Sequence, residues 1–409
     1  MKRKKLLYDW NKRLVNHAKV ELHDETLRDG LQASYVRNPT TEQKIVLLRL
    51  MEELKIHSAN IGFPGAGSRH EEDVTELAKY KKEQKLKIKL TCASRTLIDD
   101  LAPIVRAQEN SAVQFEAGIF LGSSEIRQLV EKWSLRDMGK MVKESVRFAI
   151  KNGLSVMFVT EDTTRARPEV LRYLYGTAIA EGATRLCIAD TVGFANPDSV
   201  EKLVRFVIEK IVNGQDIKVD WHGHRDRNIE IANCFAAIDA GINRVHGTAL
   251  GVGERAGNVP IDLLMVNLKV EGLIRNNLEK LPEYARFASR ILDIPIPVNY
   301  PVLGDQSYTT GSGIHAAAQL KAQELGRDDL VAQIYSGVDP RIVGRMPEVE
   351  VGPMSGKANA ILKLQQLGIR PTKKIVKSIV EASKSANNIL SEEEIKVVIN
   401  GIKEKKIAD

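Results

Sequence analysis

The sequence predicts an α/β fold, a (β/α)8 TIM barrel followed by a smaller, mostly helical C-terminal region. Eight short β-like runs alternate with longer amphipathic segments over roughly 250 residues, which is the length of such a barrel. The chain has 409 residues, 43% of them hydrophobic, enough for one large domain and a smaller one. In chain order the runs are Lys19–His23, Ser58–Gly62, Ile88–Cys92, Ala112–Phe120, Ser155–Val159, Arg185–Ala189, Ile217–Trp221 and Asn243–His246. A doubly wound open sheet is the alternative arrangement.

Helix-end signals and prolines divide the chain into regions. Thr41 is the predicted N-cap of a helix over Thr41–Leu54, and a helix over Leu135–Asn152 ends before Gly153. Consecutive prolines in Pro295–Val298 indicate extended chain. We therefore expect a catalytic barrel over 15–275, a linker over 276–299 and helical subdomains over 300–409. The predicted C-terminal helices are Gly356–Leu367, Thr372–Ala386 and a last helix opened by the capping box Ser391-x-x-Glu394.

Composition limits the classes of function. No apolar run approaches the roughly 20 residues that span a bilayer, and the basic start of the chain is not followed by a secretory apolar region. Three scattered cysteines (Cys92, Cys187, Cys234) fit a reducing compartment, so we expect a cytoplasmic protein without membrane partners. The net charge is +7, but basic and acidic residues are interspersed and aromatics are only 5%. This argues against nucleic-acid binding and suits anionic small molecules.

Two histidines and polar strand ends indicate a metal site. His222 and His224 stand at i and i+2 of a short run, so both imidazoles project from one face, as two metal ligands require. Active sites of TIM barrels lie where strands end, and chemically capable residues follow seven of the eight runs. They are Asp24 to Asp29, Asn60, Ser94 and Arg95, Glu161, Asp190 and Thr191, His222 and His224, and Thr248. The glycine-rich loop 251–258 lacks dinucleotide-binding spacing, and its Asn258 can offer an oxygen to a metal.

Ordered motifs carry a family resemblance. The motifs are Asp24-x-Thr26-Leu27-Arg28-Asp29-Gly30-x-Gln32, Gly62-Phe63-Pro64, Glu161-Asp162-x-x-Arg165, Asp190-Thr191-Val192-Gly193, His222-x-His224, Gly253-Glu254-Arg255-Ala256-Gly257-Asn258, Ser312-Gly313-Ile314-His315, Tyr335-x-x-x-Asp339-Pro340 and Val343-Gly344-Arg345. Together they resemble the 2-isopropylmalate, homocitrate and citramalate synthase family, whose relatives include hydroxymethylglutaryl-CoA lyase.

The resemblance implies a Claisen-type condensation of acetyl-CoA with a 2-oxo acid, followed by thioester hydrolysis. It implies that Asp29, His222 and His224 hold a divalent metal, Mg²⁺, Mn²⁺ or Zn²⁺, with Asn258 as the additional ligand. Arg28 would stabilise developing negative charge, and Glu161 would orient or activate a proton carrier. The other implied residues are Gln32 and Thr191 around the substrate, and His315 and Tyr335 supplied by a partner chain. By their positions, Asn60 and Arg95 are expected on the wall of the substrate pocket, where holding a distal carboxylate is an alternative role for Arg95. A homodimer with an exchanged helical subdomain is expected, without a further regulatory domain.

Three departures from the family pattern bear on activity. Asn60 stands where the family carries a glutamate, Thr310-Gly311 replaces a His-Glu pair, and Leu31 follows the lyase rather than the synthases. The glycine loop has no cysteine and a helical extension is present, which favours a synthase over a lyase. A non-catalytic barrel is the third possibility. Gly62-Phe63-Pro64 resembles the isopropylmalate and citramalate branch of the family more than the homocitrate branch. That resemblance implies a short, apolar acceptor such as 2-oxoisovalerate, with the homocitrate and citramalate reactions as alternatives.

Overall fold

A computed structural model describes residue 6 and residues 20–408, with side chains to residue 402. The basic N-terminal segment, the expected barrel start at residue 15 and Lys19 of the first predicted run lie outside the described residues. The chain forms two compact units. The first contains the residues up to Asn276 together with Phe287–Ile294, and the second contains Asn277–Arg286 and the residues from Pro295 onward.

The first unit is a closed barrel of eight parallel strands in sequential order, which confirms the TIM barrel. Strand β1 pairs with β8 in the register Leu22↔Val245, so the sheet closes on itself and the open-sheet alternative is wrong. The strands are β1 Glu21–Asp24, β2 Ser58–Asn60, β3 Lys89–Arg95, β4 Phe115–Gly122, β5 Ser155–Glu161, β6 Arg185–Asp190, β7 Lys218–Gly223 and β8 Arg244–Gly247. Strand β4 begins after the predicted Ala112, because Ala112 caps a helix in the left-handed conformation.

Helices follow the strands as the alternating pattern requires. They are α1 Thr41–Glu53, α2 Ser68–Glu83, α3 Ile98–Ser111, α4 Glu125–Glu131, α5 Leu135–Lys151, α6 Pro168–Ala180, α7 Pro197–Val207, α8 Glu230–Asp239 and α9 Ile261–Val270. The N-cap of α1 is Thr40 rather than the predicted Thr41. Thr40 forms a capping box with Gln43, whereas the Thr41 hydroxyl donates to the Asp73 carboxylate.

Buried ion pairs fill the barrel near the N-terminal ends of its strands. Arg244 on β8 lies 2.7 Å from Asp220 on β7 and 2.6 Å from Glu116 on β4, measured between nitrogen and oxygen atoms. Arg185 on β6 lies 2.6 Å from the other Asp220 oxygen. Burial alone would raise the pKa of Asp220, but the charge of Arg244 and the hydrogen bond from His246 hold it well below its usual range. Charges at this depth are tolerated because each one is paired.

The second unit is mostly helical, as predicted. Helix α10, Leu281–Leu292, lies in the segment where the sequence suggested a linker, and its residues are divided between the two units. The remaining helices are α11 Gly313–Glu324, α12 Asp328–Gln333, α13 Lys357–Gln366, α14 Lys373–Lys384 and α15 Glu392–Ala408. Two short parallel strands, β9 Thr309–Thr310 and β10 Glu348–Val349, pair with each other. Helices α13 to α15 enclose an apolar core that includes Leu364, Ile379 and Ile395.

Among the described residues, no helix combines the length and the apolar character needed to cross a bilayer.

Candidate metal centre and substrate cavity

Three ligand-type side chains meet at the barrel mouth. Asp29 lies in the turn after β1, while His222 and His224 follow one another on the same face of the chain as β7 ends. The Asp29 Oδ2 atom lies 3.2 Å from His222 Nε2 and 3.6 Å from His224 Nε2. One donor atom from each of the three residues falls within 4.8 Å of the others. The cluster predicted from the sequence therefore forms, with the spacing that a single ion between three donors requires.

The electrostatics of the cluster suit a divalent cation. Burial alone would raise the pKa of Asp29, but the charge of Arg28 and the hydrogen bond from His222 hold it well below its usual range. Burial lowers the pKa of His224 to about 4, against the attraction of Asp29. At neutral pH, Asp29 is thus ionised and His224 is neutral, which are the protonation states that metal ligands need.

Asn258 adds an oxygen next to the cluster. A backbone bridge joins it to His224, and the Asn258 side-chain amide donates to the Val252 carbonyl at 3.2 Å. The Asn258 Oδ1 atom is buried and has no hydrogen-bond partner among the described residues. A buried orphan acceptor is costly unless a ligand satisfies it. These residues therefore fit a divalent ion with mixed imidazole and oxygen donors.

A cavity of about 280 Å³ opens beside the cluster. Asp29, His222 and His224 all belong to its lining. The apolar part of the wall consists of Ala93, Phe120, Met157, Val159, Cys187 and Ala189. A volume of this size with a few convergent polar groups suits a small organic acid.

Five other predicted site residues line the same cavity, namely Arg28, Gln32, Asn60, Glu161 and Thr191. Burial raises the pKa of Glu161, although Arg127, 3.3 Å away, opposes this shift. The Thr191 hydroxyl oxygen accepts a hydrogen bond of 2.8 Å from the Asp162 backbone N–H, so its own hydrogen is free to point toward a ligand.

The remaining predicted residues lie elsewhere. The Arg95 guanidinium donates two hydrogen bonds to Asp100, of 2.7 and 2.9 Å, and the side chain is absent from the cavity lining. His315 and Tyr335 belong to the second unit, where their rings stack with centroids 3.7 Å apart.

Four further residues line the cavity, and sequence reasoning assigned none of them a role in the site: Glu25, His246, Glu254 and Arg255. Strand alternation is the signal that could have found the first two. Glu21, His23 and Glu25 alternate along and just past β1, and Arg244 and His246 alternate on β8. Polar residues at every second position of a buried strand indicate a polar barrel interior.

The fold and site together define a (β/α)8-barrel protein with a candidate divalent-metal centre at the barrel mouth. The family model described as HMGL-like matches residues 19–287. The chain belongs to the HMGL-like family.

Curated relatives resemble the chain over most of its length. Homocitrate synthase of Methanopyrus kandleri is 30% identical, covering 90% of this chain and 87% of the relative. 2-Isopropylmalate synthase of Lactococcus lactis subsp. cremoris is 31% identical, covering 90% and 70%. (R)-citramalate synthase of Aquifex aeolicus is 28% identical, also covering 90% and 70%.

Solved structures support the fold. The HMG-CoA lyase of Bacillus subtilis superposes with a TM-score of 0.58 at 22% identity, covering 68% of this chain and 95% of that chain. A lyase structure from Acinetobacter baumannii gives 0.57 at 19% identity, covering 68% and 92%.

Proposed function

We propose that the chain condenses acetyl-CoA with a 2-oxo acid in a Claisen-type reaction and hydrolyses the thioester, giving a 2-alkylmalate-type product. The observation that carries the proposal is the cluster of Asp29, His222 and His224 at a cavity of about 280 Å³. The chain is also similar to homocitrate, citramalate and 2-isopropylmalate synthases. Their products differ but are all of the 2-alkylmalate type, which supports the same kind of reaction for this chain.

The metal ligands in this proposal are Asp29, His222 and His224, with Asn258 as a fourth donor. A divalent ion bound there would act as a Lewis acid toward the keto and carboxylate oxygens of the acceptor. Three or four protein ligands leave coordination positions for a substrate, unlike a closed structural site.

The remaining roles fall to residues around the cavity. Arg28 directs a permanently charged donor into the cavity, where it stabilises negative charge that develops on oxygen. Thr191 and Gln32 offer hydrogen bonds to the acceptor carboxylate. Glu161 orients or activates the proton carrier, and its raised pKa makes it a better proton acceptor than an ordinary carboxylate.

We assign His315 and Tyr335 to the active site of a partner chain in a homodimer. Both rings carry groups that can transfer a proton; Tyr335 is exposed and His315 is half-buried in the single chain. Their mutual stacking holds the two groups together as one unit.

The acceptor in our proposal has a short apolar side chain, as 2-oxoisovalerate does. Both arginines that line the cavity among the described residues already have a carboxylate partner: Arg28 pairs with Glu25, and Arg255 pairs with Asp226. Arg95, a candidate for holding a distal carboxylate, turns to Asp100. The apolar wall formed by Phe120, Met157 and Val159 suits an alkyl group better than a second carboxylate.

The test is a thiol-release assay with acetyl-CoA and a panel of acceptors: 2-oxoisovalerate, pyruvate and 2-oxoglutarate. We expect turnover with 2-oxoisovalerate that a chelator abolishes and Mn²⁺ or Mg²⁺ restores. The His222→Ala variant should lose at least about 10³-fold in rate, because it removes a ligand of the Lewis acid. Turnover confined to 2-oxoglutarate would overturn the acceptor assignment.

Two alternatives have their own readouts in the same preparation. Cleavage of hydroxymethylglutaryl-CoA to acetoacetate would identify a lyase. Metal binding with no turnover of any acyl-CoA would identify a non-catalytic barrel.

A further inference from the structure

Glu25 is a buried carboxylate at the inner end of the cavity, between Arg28 and two histidines. Its Oε2 atom lies 2.8 Å from Arg28 Nε and 2.7 Å from Arg28 Nη2. Its Oε1 atom lies 3.1 Å from His23 Nε2 and 3.5 Å from His246 Nδ1. Only 1% of the Glu25 residue is exposed, so water does little to weaken these contacts.

Distances alone would also allow His23, Glu25 and His246 to hold a metal ion. The charges around them argue otherwise. The positive charge of Arg28 already neutralises Glu25, and Arg244 adds a further positive charge nearby, as its effect on His23 shows. A second divalent ion would add two positive charges for which this cluster offers no further carboxylate. The cluster is therefore better explained by what it does to Arg28.

Arg28 has two carboxylates within reach, and they are not equivalent. The shortest contact to Glu25 is 2.7 Å, whereas the Arg28 Nη1 atom lies 3.5 Å from Asp29 Oδ2. That Asp29 oxygen is also the one that faces His222 and His224. An arginine drawn fully onto Asp29 would compete with a cation for the same oxygen. Asn60, which also lines the cavity, is uncharged and cannot hold the guanidinium in place of Glu25.

We propose that Glu25 is a positioning residue that anchors the Arg28 guanidinium and thereby leaves the Asp29 carboxylate available for the metal ion. The proposal rests on the function proposed above insofar as Arg28 and Asp29 serve one site. His23 completes the anchor by hydrogen-bonding the second Glu25 oxygen, which helps to fix the plane of the carboxylate.

The first test is a double-mutant cycle on Mn²⁺ binding, measured by EPR titration of Mn²⁺ alone. The cycle compares wild type, Glu25→Gln, Arg28→Ala and the double variant. Glu25→Gln should weaken Mn²⁺ binding about tenfold or more, because the released guanidinium turns to Asp29. In the Arg28→Ala background the same substitution should change the affinity less than about twofold. An equal loss in both backgrounds, or no loss in either, would overturn the proposal.

Two further variants separate positioning from folding. Glu116→Gln is the matched control, because Glu116 also pairs with a buried arginine but lies outside the cavity lining. It should lower the unfolding temperature and leave Mn²⁺ affinity unchanged. Glu25→Asp keeps the charge on a shorter side chain and should recover most of the affinity that Glu25→Gln loses. If Glu25→Gln does not fold, Glu25→Asp replaces it in the cycle. A loss of Mn²⁺ affinity of the same size in the wild-type and Arg28→Ala backgrounds would then overturn the proposal.

Kinetics distinguish this proposal from the proposed function. In an active enzyme, Glu25→Gln should lower kcat more than it raises KM for the acceptor, because Arg28 acts mainly on charge that develops during the reaction. A wild-type protein that binds Mn²⁺ but turns over no acceptor refutes the proposed function. In that case the double-mutant cycle on Mn²⁺ affinity still tests whether Glu25 positions Arg28. A wild-type protein that binds no Mn²⁺ refutes both.

Discussion

Replacing Arg244 by methionine tests whether the ion pairs inside the barrel hold it together. Arg244 is 2% exposed and contacts four side chains: Asp220 at 2.7 Å, Glu116 at 2.6 Å, Ser58 at 3.0 Å and the Met157 sulfur at 3.1 Å. Methionine is an unbranched, flexible side chain but carries no charge, so less positive charge remains beside the Asp220 and Glu116 carboxylates. Removing one partner of a buried ion pair costs about 3–5 kcal/mol in the free energy of unfolding.

Part of that cost is offset by groups that remain. Arg185 stays 2.6 Å from Asp220 and 3.3 Å from Glu116, so neither carboxylate becomes isolated. We therefore expect the lower end of the range, about 3 kcal/mol at pH 7, or roughly 6 °C in the unfolding temperature for a unit of this size.

The stability loss of Arg244→Met should depend on pH, and the carboxyl pKa values give the direction of this dependence. The pKa values of Asp220 and Glu116 lie below their ordinary values in the folded state, because the arginine charges outweigh the effect of burial. A carboxyl group whose pKa is lower in the folded state than in the unfolded state stabilises the fold at pH values above its unfolded-state pKa, which is near 4. This stabilisation is lost as the pH falls through the pKa of the folded state. The deficit of Arg244→Met should therefore be largest at neutral pH and shrink as the pH falls below about 4.

Thermal and urea unfolding between pH 3 and pH 8 measure this deficit. Arg205→Met is the control, because Arg205 forms an exposed pair with Glu201 at 2.9 Å, and it should change stability by less than about 0.5 kcal/mol. A deficit for Arg244→Met below about 1 kcal/mol at pH 7, or one that does not vary with pH, would refute the reasoning.

Two more substitutions address the loop beside the metal ligands and the cavity wall. Gly257 has a φ of +107°, and a Cβ there would clash with the Gly251 carbonyl oxygen. Gly257→Ala should therefore displace the neighbouring Asn258 and weaken Mn²⁺ binding about tenfold. Gly326→Ala, at a φ of +65° with open space around it, is the control and should leave Mn²⁺ affinity unchanged. Phe120→Ala enlarges the cavity, so its kcat/KM ratio should shift toward longer apolar 2-oxo acids by about tenfold, and an unchanged acceptor ranking would contradict our placement of the alkyl group.

Local periodicity explains which parts of the site could be predicted. His222 and His224 share a face because strand side chains alternate, and Asp29 joins them because neighbouring strands end at the same side of a barrel. Arg95 ends strand β3, but its side chain turns to Asp100, five residues later, instead of the cavity. The strand pattern does not reveal which of the two the arginine contacts. Glu25 lies in the stretch Asp24 to Asp29 that the sequence indicated, but its role could not be assigned because its partners come from several strands, which a single stretch of sequence does not reveal.

Boundaries were harder to predict than the elements themselves. Thr40 and Thr41 are both good N-cap residues, and the choice between them depends on Asp73, which lies on another helix. Helix α10 lies within the range 276–299 that was expected to be a linker, whereas Pro295 and Pro297, which suggested the linker, follow the helix and are not helical. The pairing of β1 with β8 lies beyond any local signal, since it joins residues more than two hundred positions apart.

The charged barrel interior has a consequence for how the chain reaches its fold. Arg244 comes from the last strand, whereas its partners Ser58, Glu116 and Asp220 come from the second, fourth and seventh. Until the last strand arrives, the two carboxylates have only the charge of Arg185 to compensate them, and contacts so distant in sequence form slowly. Fragments ending before β8 should therefore remain open and hydrated at their centre. We therefore expect the barrel to reach its stable form only when β8 pairs with β1, because Arg244 on β8 completes the charge balance of the interior.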